Sequence, residues 1–141
     1  MSQKALVTGG AGFIGSHVAD LFLAQGWAVT IVDNLASGRR ENVPAAATFV
    51  EASITSPEAA QLVQDGGFDV VLHLAAQIDV RKSVTDPVYD ATQNVLGSLN
   101  LLEAARQAKL ATGKAPRFVF ASTGGALYGD FVTPPNVETY A

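Results

Sequence analysis

Ala5-Leu6-Val7-Thr8-Gly9-Gly10-Ala11-Gly12-Phe13-Ile14-Gly15-Ser16-His17 is the stretch whose reading decides how this chain folds. A short apolar run of strand character ends at Thr8, glycines stand at positions 9, 12 and 15, and a helical pattern starts at once. The spacing is G-x-x-G-x-x-G, one residue longer at its first gap than the common dinucleotide fingerprint, and its physics is similar. One glycine allows a sharp turn out of the strand, another lets backbone approach a pyrophosphate, and the last lets helix and strand pack closely. The unpaired N–H groups of the first helical turn, at the positive end of the helix dipole, then face the phosphates. Lying between a strand and a helix, the loop reads as a dinucleotide site in preference to an ordinary turn.

Working outward, the helix carries Ile14, Val18, Leu21 and Phe22 on one stripe, with His17 or Ala24 near it, and stops at Gln25-Gly26. Ala28 to Val32 is β-branched and apolar, which suits a strand buried on both faces of a parallel sheet. The unit is a βαβ with a right-handed crossover. It ends at Asp33, eighteen residues after Gly15. An acid there accepts hydrogen bonds from the adenosine ribose hydroxyls, and its charge repels a 2′-phosphate, which favours NAD over NADP. Arg39 and Arg40 pull the other way, since a nearby guanidinium could accept that phosphate.

The βα rhythm continues. A polar loop runs from Asn34 to Pro44, with a helical turn expected around Arg40 to Val43, and Thr48 to Ala52 reads as a strand. Pro57 opens a helix with Glu58, Ala59, Leu62 and Val63, closed by Asp65-Gly66-Gly67. Asp69 to Leu74 is the fourth strand. The longest helix is expected to start with Asp86 as N-cap and Pro87 as first residue and to run to about Lys109, with Val88, Ala91, Val95, Leu99, Leu102 and Ala105 in register. Arg117 to Ala121 is the fifth strand, and Phe131 to Ala141 reads as a tail. The pattern predicts an α/β doubly wound parallel sheet of order 3-2-1-4-5, a Rossmann-like domain over residues 1–130. Its ligand crevice lies beyond the carboxyl ends of strands one and four. The glycine loop, Asp33, Ala75-Ala76 and Ser122-Thr123 all fall at strand C-termini.

Composition narrows the function classes. The 141 residues are 48% hydrophobic and 16% charged, which is globular and leaves room for one core. A net charge of −4 offers no basic face for nucleic acid. Arg39-Arg40 and Arg81-Lys82 read as solvated loop charges. With no cysteine, disulfides, thiol catalysis and cysteine-type zinc sites are out. The two histidines, His17 and His73, lack partners at metal or triad spacing, so no metal is expected. His73 reads as a core residue hydrogen-bonded to backbone. No signal peptide or bilayer-length apolar run is visible, so the expected setting is cytoplasmic, with no membrane partner.

Several segments, taken together and in order, resemble one family. They are Thr8-Gly9-Gly10-Ala11-Gly12-Phe13-Ile14-Gly15, Val32-Asp33-Asn34-Leu35 with Ser37-Gly38, His73-Leu74-Ala75-Ala76-Gln77, Ser83-Val84 with Asp86-Pro87, Asn94-Val95-Leu96-Gly97, and Ser122-Thr123-Gly124-Gly125-Ala126-Leu127-Tyr128-Gly129. The chain is similar to the N-terminal part of an extended short-chain dehydrogenase/reductase of the nucleotide-sugar epimerase/dehydratase group, and within it to the UDP-glucose (UDP-galactose) 4-epimerases. The resemblance implies cofactor contacts from Gly9, Gly12, Phe13, Ile14, Gly15, Asp33, Asn34, Ser37, Gly38, Leu74, Ala75, Ala76 and Gln77. It also implies adenine contact from Ser53-Ile54, where the family usually carries Asp-Ile, and a supporting role for Asn94, which reads equally as a structural asparagine. A hydroxyl on the reacting sugar is implied for Thr123, with Ser122 beside it. Dehydratases usually follow that hydroxyl with an acidic pair and decarboxylases with a glutamate; Gly124-Gly125 here favours an epimerase.

Family catalysis also implies a Tyr-x-x-x-Lys helix in which the tyrosine is general base on the sugar C4 hydroxyl and the lysine lowers its pKa. Tyr128 is followed by Val132 at that offset, and Tyr140 has only Ala141 after it. The expectation is therefore a partial cofactor domain without the substrate domain, inactive by itself. Its nucleotide-sugar substrate would be met by the longer parent, and its uncovered fifth strand and helix surface would favour homo-oligomers or self-association. Another dehydratase or dehydrogenase of the same family, or a non-catalytic NAD-binding module, are the competing readings.

Overall fold

The computed structural model describes residues 2–123. The sheet has five strands in the order β3-β2-β1-β4-β5. They are β1 (Lys4–Thr8), β2 (Ala28–Asp33), β3 (Thr48–Glu51), β4 (Val70–His73) and β5 (Arg117–Phe120), and every pairing is parallel. The doubly wound order expected from the sequence is the one found. Parallel neighbours need crossovers, so the helices cover both faces and β1 lies in the middle with no solvent side. Alternation along the strands feeds two cores. Leu6, Val32 and Val71 point to one, with Leu101, Ala104 and Ala105 over them. Ala5, Val7, Val29 and Ile31 point to the other, with Ala19 over them.

The helix α1 (Phe13–Ala24) ends in a Schellman motif. Gly26 takes φ +81°, its N–H donates to the Leu23 carbonyl at 2.9 Å, and the Trp27 N–H reaches back to Phe22 at 3.0 Å. The Phe22 and Trp27 rings meet edge to face at 4.9 Å, which is the apolar clasp such an ending calls for. The buried face of α1 differs from the expected stripe. Gly15, Ser16 and Ala19 are buried, while Ile14 and Leu21 face solvent. Small residues win that face because the helix starts hard against the glycine loop and leaves no room for longer side chains.

The helix α2 (Pro57–Asp65) begins as expected at Pro57, capped by Ser56 Oγ accepting the Ala59 N–H at 3.2 Å. A short helix, α3 (Val80–Thr85), was not expected; Asp79 caps it. Six residues are too few to show a period, and the aspartate was its one sequence signal. Arg81 and Lys82 thus belong to a helix and not to a loop, and Lys82 Nζ sits 3.8 Å from the Tyr89 ring centroid.

The longest helical run is α4 (Pro87–Ala91), a π turn (Thr92–Leu96) and α5 (Gly97–Thr112). Asp86 caps its start as expected, with Oδ1 accepting the Tyr89 N–H at 3.0 Å. Its end comes at a left-handed Gly113, φ +78°. The expected apolar register is corrected. Leu101, Ala104, Ala105 and Ala108 are buried with Gly97, whereas Val88, Val95, Leu99 and Leu102 are exposed. The π turn carries one extra residue and rotates everything after it, so one uninterrupted 3.6-residue period cannot describe both halves. Gly97 lets the run pass close to the strand-three side: a Cβ there would lie 2.7 Å from Ile54 Cδ1. Among the described residues no helix is long and apolar enough to cross a membrane.

The corrected register is testable by a pair of truncations. Leu101 has 0% exposure and Leu99 54%. Leu101→Ala is expected to cost about 2–5 kcal/mol, and Leu99→Ala less than about 1 kcal/mol, read as the shift in urea midpoint; equal costs would restore the unshifted register.

Candidate dinucleotide site

Three chain segments meet beyond the carboxyl ends of β1, β2 and β4. The first is the glycine loop. Gly9 has φ +71°, and a Cβ on it would lie 2.8 Å from the Ala75 amide nitrogen, so both its backbone angle and its neighbour demand glycine. Its N–H donates to the Val32 carbonyl at 2.9 Å, and the Gly12 N–H returns to Gly9 O at 3.1 Å. A Cβ on Gly15 would strike that same Gly9 carbonyl. The turn, the strand and the helix are thereby pressed together without side chains between them. Helix α1 has no side-chain cap at Gly12, in contrast to α2, α3 and α4, whose caps are Ser56, Asp79 and Asp86. Its first-turn N–H groups and dipole are left to whatever binds there. Phe13 (79% exposed) and Ile14 flank this mouth.

Asp33 closes β2 at 8% exposure. Its Oδ2 accepts the Ala11 N–H at 3.0 Å and its Oδ1 accepts the Leu35 N–H at 2.8 Å. Each oxygen retains a lone pair, so the carboxylate both ties the glycine loop to β2 and stays able to accept further hydroxyl donors. Leu35 takes φ +56°, an αL conformation uncommon for leucine, and the Asp33 bond holds it there. The loop after it folds back over the glycines. Asn34 Oδ1 accepts the Ala36 N–H at 3.1 Å, and Ser37 is exposed. A Cβ on Gly38 would lie 2.9 Å from Ala11 Cβ. The Ala11 carbonyl accepts both the Arg39 N–H (3.0 Å) and Asn42 Nδ2 (2.9 Å). The expected helical turn is a 3₁₀ turn at Arg40–Asn42. Arg39 pairs with Glu41 at 3.3 Å, and the Arg40 guanidinium stacks 4.4 Å from the Phe49 ring centroid. Both cations are thus engaged away from Asp33.

Ser53 and Ile54 follow β3. Ser53 Oγ bonds Thr55 Oγ1 at 2.8 Å. The Ile54 side chain is buried in the core against the Gly97 backbone, so a contact from that side chain, as the resemblance implied, is corrected: core packing has already taken it. Its carbonyl accepts Asn100 Nδ2 at 2.8 Å.

At the end of β4, Thr8 Oγ1 accepts the N–H groups of Leu74 and Ala75, each at 3.2 Å, which docks the segment Leu74-Ala75-Ala76-Gln77 beside Gly9. Asn94, on the π turn, clamps Gln77: its Oδ1 accepts the Gln77 N–H at 2.7 Å and its Nδ2 donates to Gln77 O at 2.9 Å. Here Asn94 is a structural asparagine that shapes the cofactor side of the crevice, so its two sequence readings merge. Gln77 Nε2 in turn donates to Asp90 Oδ1 at 2.8 Å, and Ser83 Oγ donates to the same oxygen at 2.6 Å. These donors hold the Asp90 carboxyl below its ordinary value, Ser83 first. His73 is buried as expected, but its partners are hydroxyls and not backbone: Thr8 Oγ1 at 2.8 Å and Ser98 Oγ at 2.9 Å. Burial pushes its pKa below the ordinary 6.5.

The Ala121 N–H extends the sheet by donating to His73 O at 3.2 Å, and Ser122 and Thr123 lie exposed just beyond it. Gly124-Gly125, Tyr128, Tyr140 and the tail lie outside the described residues. Sequence reasoning missed Thr8, Ser83, Asp90 and Ser98 as organisers of the crevice. Thr8 carried a signal, a hydroxyl ending a strand that is otherwise apolar. The others sit on helices whose register depends on the π turn.

A model of the NAD dependent epimerase/dehydratase family matches residues 5–141. The chain belongs to that family. Its relatives in the family include the UDP-glucose 4-epimerase of Mycolicibacterium smegmatis, 44% identical over 142 residues, covering 97% of this chain and 43% of that protein. Among solved structures, the UDP-glucose 4-epimerase of Thermus thermophilus in complex with NAD superposes with TM-score 0.84 at 45% identity, covering 98% of this chain and 43% of that one. The Thermotoga maritima UDP-glucose 4-epimerase with UDP-glucose gives TM-score 0.83 at 45% identity, covering 93% and 41%. The chain therefore spans about two fifths of these family members' length.

Removing the clamp tests the site's construction. Asn94→Ala leaves both Gln77 backbone groups without their partner and is expected to destabilise the fold by about 1–3 kcal/mol. Faster amide exchange at Gln77 than at Val71 in the variant would localise the damage to the crevice.

Proposed function

We propose that this chain is the NAD-binding portion of a nucleotide-sugar epimerase of the UDP-glucose/UDP-galactose 4-epimerase type. The observation that carries the reading is one place where a glycine turn, an uncapped helix start, a strand-end carboxylate and the Leu74–Gln77 backbone converge. These residues fit a dinucleotide. The turn at Gly9, Gly12 and Gly15 leaves a cradle that Cβ atoms would fill, and the first-turn amides of α1 suit a pyrophosphate. Asp33 accepts the adenosine ribose hydroxyls with the lone pairs its backbone partners leave free. A 2′-phosphate would meet that carboxylate while Arg39 and Arg40 are held elsewhere, which favours NAD. Phe13, Ile14, Asn34, Ser37 and Gly38 line the mouth, and Ser53 offers a hydroxyl toward the adenine side. Leu74, Ala75, Ala76 and Gln77 present small side chains and backbone to the ribose and pyrophosphate.

When bound, NAD accepts the hydride of sugar C4 and returns it to the opposite face. Thr123, with Ser122 beside it, hydrogen-bonds the reacting hydroxyl from the end of β5. The Gly124-Gly125 sequence supports epimerisation over elimination or decarboxylation, since no acid follows the hydroxyl pair. The general base, Tyr-x-x-x-Lys in the resemblance, is not found in these 141 residues, so turnover calls for residues beyond them. The exposed apolar line of Leu99, Leu102, Val119 and Phe120 favours self-association.

Calorimetry with NAD and NADP tests the cofactor half. NAD should bind, and Asp33→Ala should weaken it about tenfold or more while narrowing the preference over NADP; tighter NADP binding by the unmodified protein would reverse the assignment. For the substrate half, a chain extended through a Tyr-x-x-x-Lys segment should interconvert UDP-glucose and UDP-galactose, and release of a dehydrated or decarboxylated sugar in its place would move it to another branch of the family. Light scattering should give a mass above that of one 14.6 kDa chain; a single monomeric peak counts against self-association.

A further inference from the structure

The ring of His73, 1% exposed, stands in the middle of a hydrogen-bond chain whose direction can be deduced. Thr8 Oγ1 already accepts two N–H groups, from Leu74 and Ala75. A hydroxyl has two acceptor places and one proton, so the Thr8 proton goes to His73 Nδ1, 2.8 Å away. Nδ1 is then bare and Nε2 carries the ring proton, which it donates to Ser98 Oγ at 2.9 Å. Ser98 passes its own proton to the Asn94 carbonyl at 2.6 Å. Asn94 closes the circuit by gripping Gln77. The segment Leu74–Gln77 is held at one end by Thr8 and at the other by Asn94, and His73 links the two anchors.

We propose that His73 is a positioning residue for the dinucleotide site: as a neutral, Nε2-protonated imidazole it holds Leu74–Gln77 against Gly9, and protonation at Nδ1 releases that segment. The proposal rests on the cofactor reading above. A charged ring needs an acceptor at both nitrogens, and Thr8 has none to give while it holds the two amides. Among the described residues the groups facing the ring are Thr8 from β1, Phe118 and Phe120 from β5 (ring centroids 5.8 and 5.6 Å away) and Ser98 from α5. None is charged. The Asp90 carboxylate joins the network only through Asn94 Nδ2, at 3.2 Å. With no counter-charge, burial disfavours the cation and the pKa falls below 6.5. The sign follows: an opened or unfolded state takes the proton first, so the closed segment is fully favoured above about pH 6.5 and is lost as the pH falls below it.

The unmodified protein, labelled with ¹⁵N, gives the first test. Long-range nitrogen–proton spectra should show His73 as a single Nε2–H tautomer that titrates below the exposed His17, with amide exchange at Leu74 and Ala75 accelerating as it titrates. A Nδ1–H or mixed tautomer, or titration alongside His17, would overturn the proposal. Two variants supply the second. His73→Gln places an acceptor oxygen and a donor amide on the same two partners; it should keep NAD affinity and remove the acid-side fall. His73→Phe keeps bulk without polarity and should weaken NAD binding about three- to tenfold. Equal NAD affinity in both variants, or an acid-side fall that survives in His73→Gln, overturns the positioning role. Should His73→Phe not fold, Ser98→Ala removes only the acceptor of the Nε2 proton and is expected to give the same weakening. Failure of the unmodified protein to bind NAD at any pH defeats the cofactor reading instead, and the tautomer and exchange measurements still decide His73.

Discussion

The crevice exists because the backbone of Gly9 runs against the backbone of Ala75, at a distance that a Cβ would not survive. That contact brings the β1–α1 turn and the segment after β4 to a common edge, in the place where the sheet order switches direction. Other parts of the site are arranged to keep the contact. The Thr8 hydroxyl sits directly beneath it and binds both amides of the approaching segment. Asp33 fixes the far side of the glycine loop through Ala11, and Asn42 fixes the loop that covers it through the same residue.

Polar groups inside a parallel sheet are costly unless each finds a partner. Among the described residues no buried side-chain nitrogen or oxygen lacks one. The cluster formed by Thr8, His73, Ser98, Asn94, Gln77, Ser83 and Asp90 shows how this is managed. Each hydroxyl gives its proton onward, and the π turn projects Asn94 toward Gln77. A helix with regular spacing from Pro87 to Thr112 would present different side chains to β4. The irregular turn is thus part of how the crevice is built, in keeping with the frequent placement of such turns at functional sites.

Asp33 serves structure and recognition with the same two oxygens. Its backbone partners fix its orientation and leave lone pairs outward, so the site is organised before a ligand arrives. Arg39 and Arg40 have partners of their own in Glu41 and Phe49. The open question of sequence, whether those cations would welcome a second phosphate, is decided by where their side chains are held.

Sequence by itself determined the sheet order, the glycine turn, the strand-end acid and the caps at Gly26 and Asp86. Each depends on residues within one turn or one strand, where local sterics and hydrogen bonding dominate. It also carried the family resemblance, since the matching segments are contiguous. The tertiary structure alone decided the rest. The buried faces of α1 and α5 belong to glycine, serine and alanine more than to the larger residues at helical spacing, because close approach to the sheet outweighs hydrophobicity at those positions. Ile54 fell to the core and Asn94 to the loop for the same reason: which side a residue faces depends on a π turn that a periodic pattern does not announce. His73 showed only that it was a lone histidine in a strand. Its tautomer and its hold on the crevice follow from Thr8 and Ser98, which lie 65 and 25 residues away along the chain and touch it only in the folded protein.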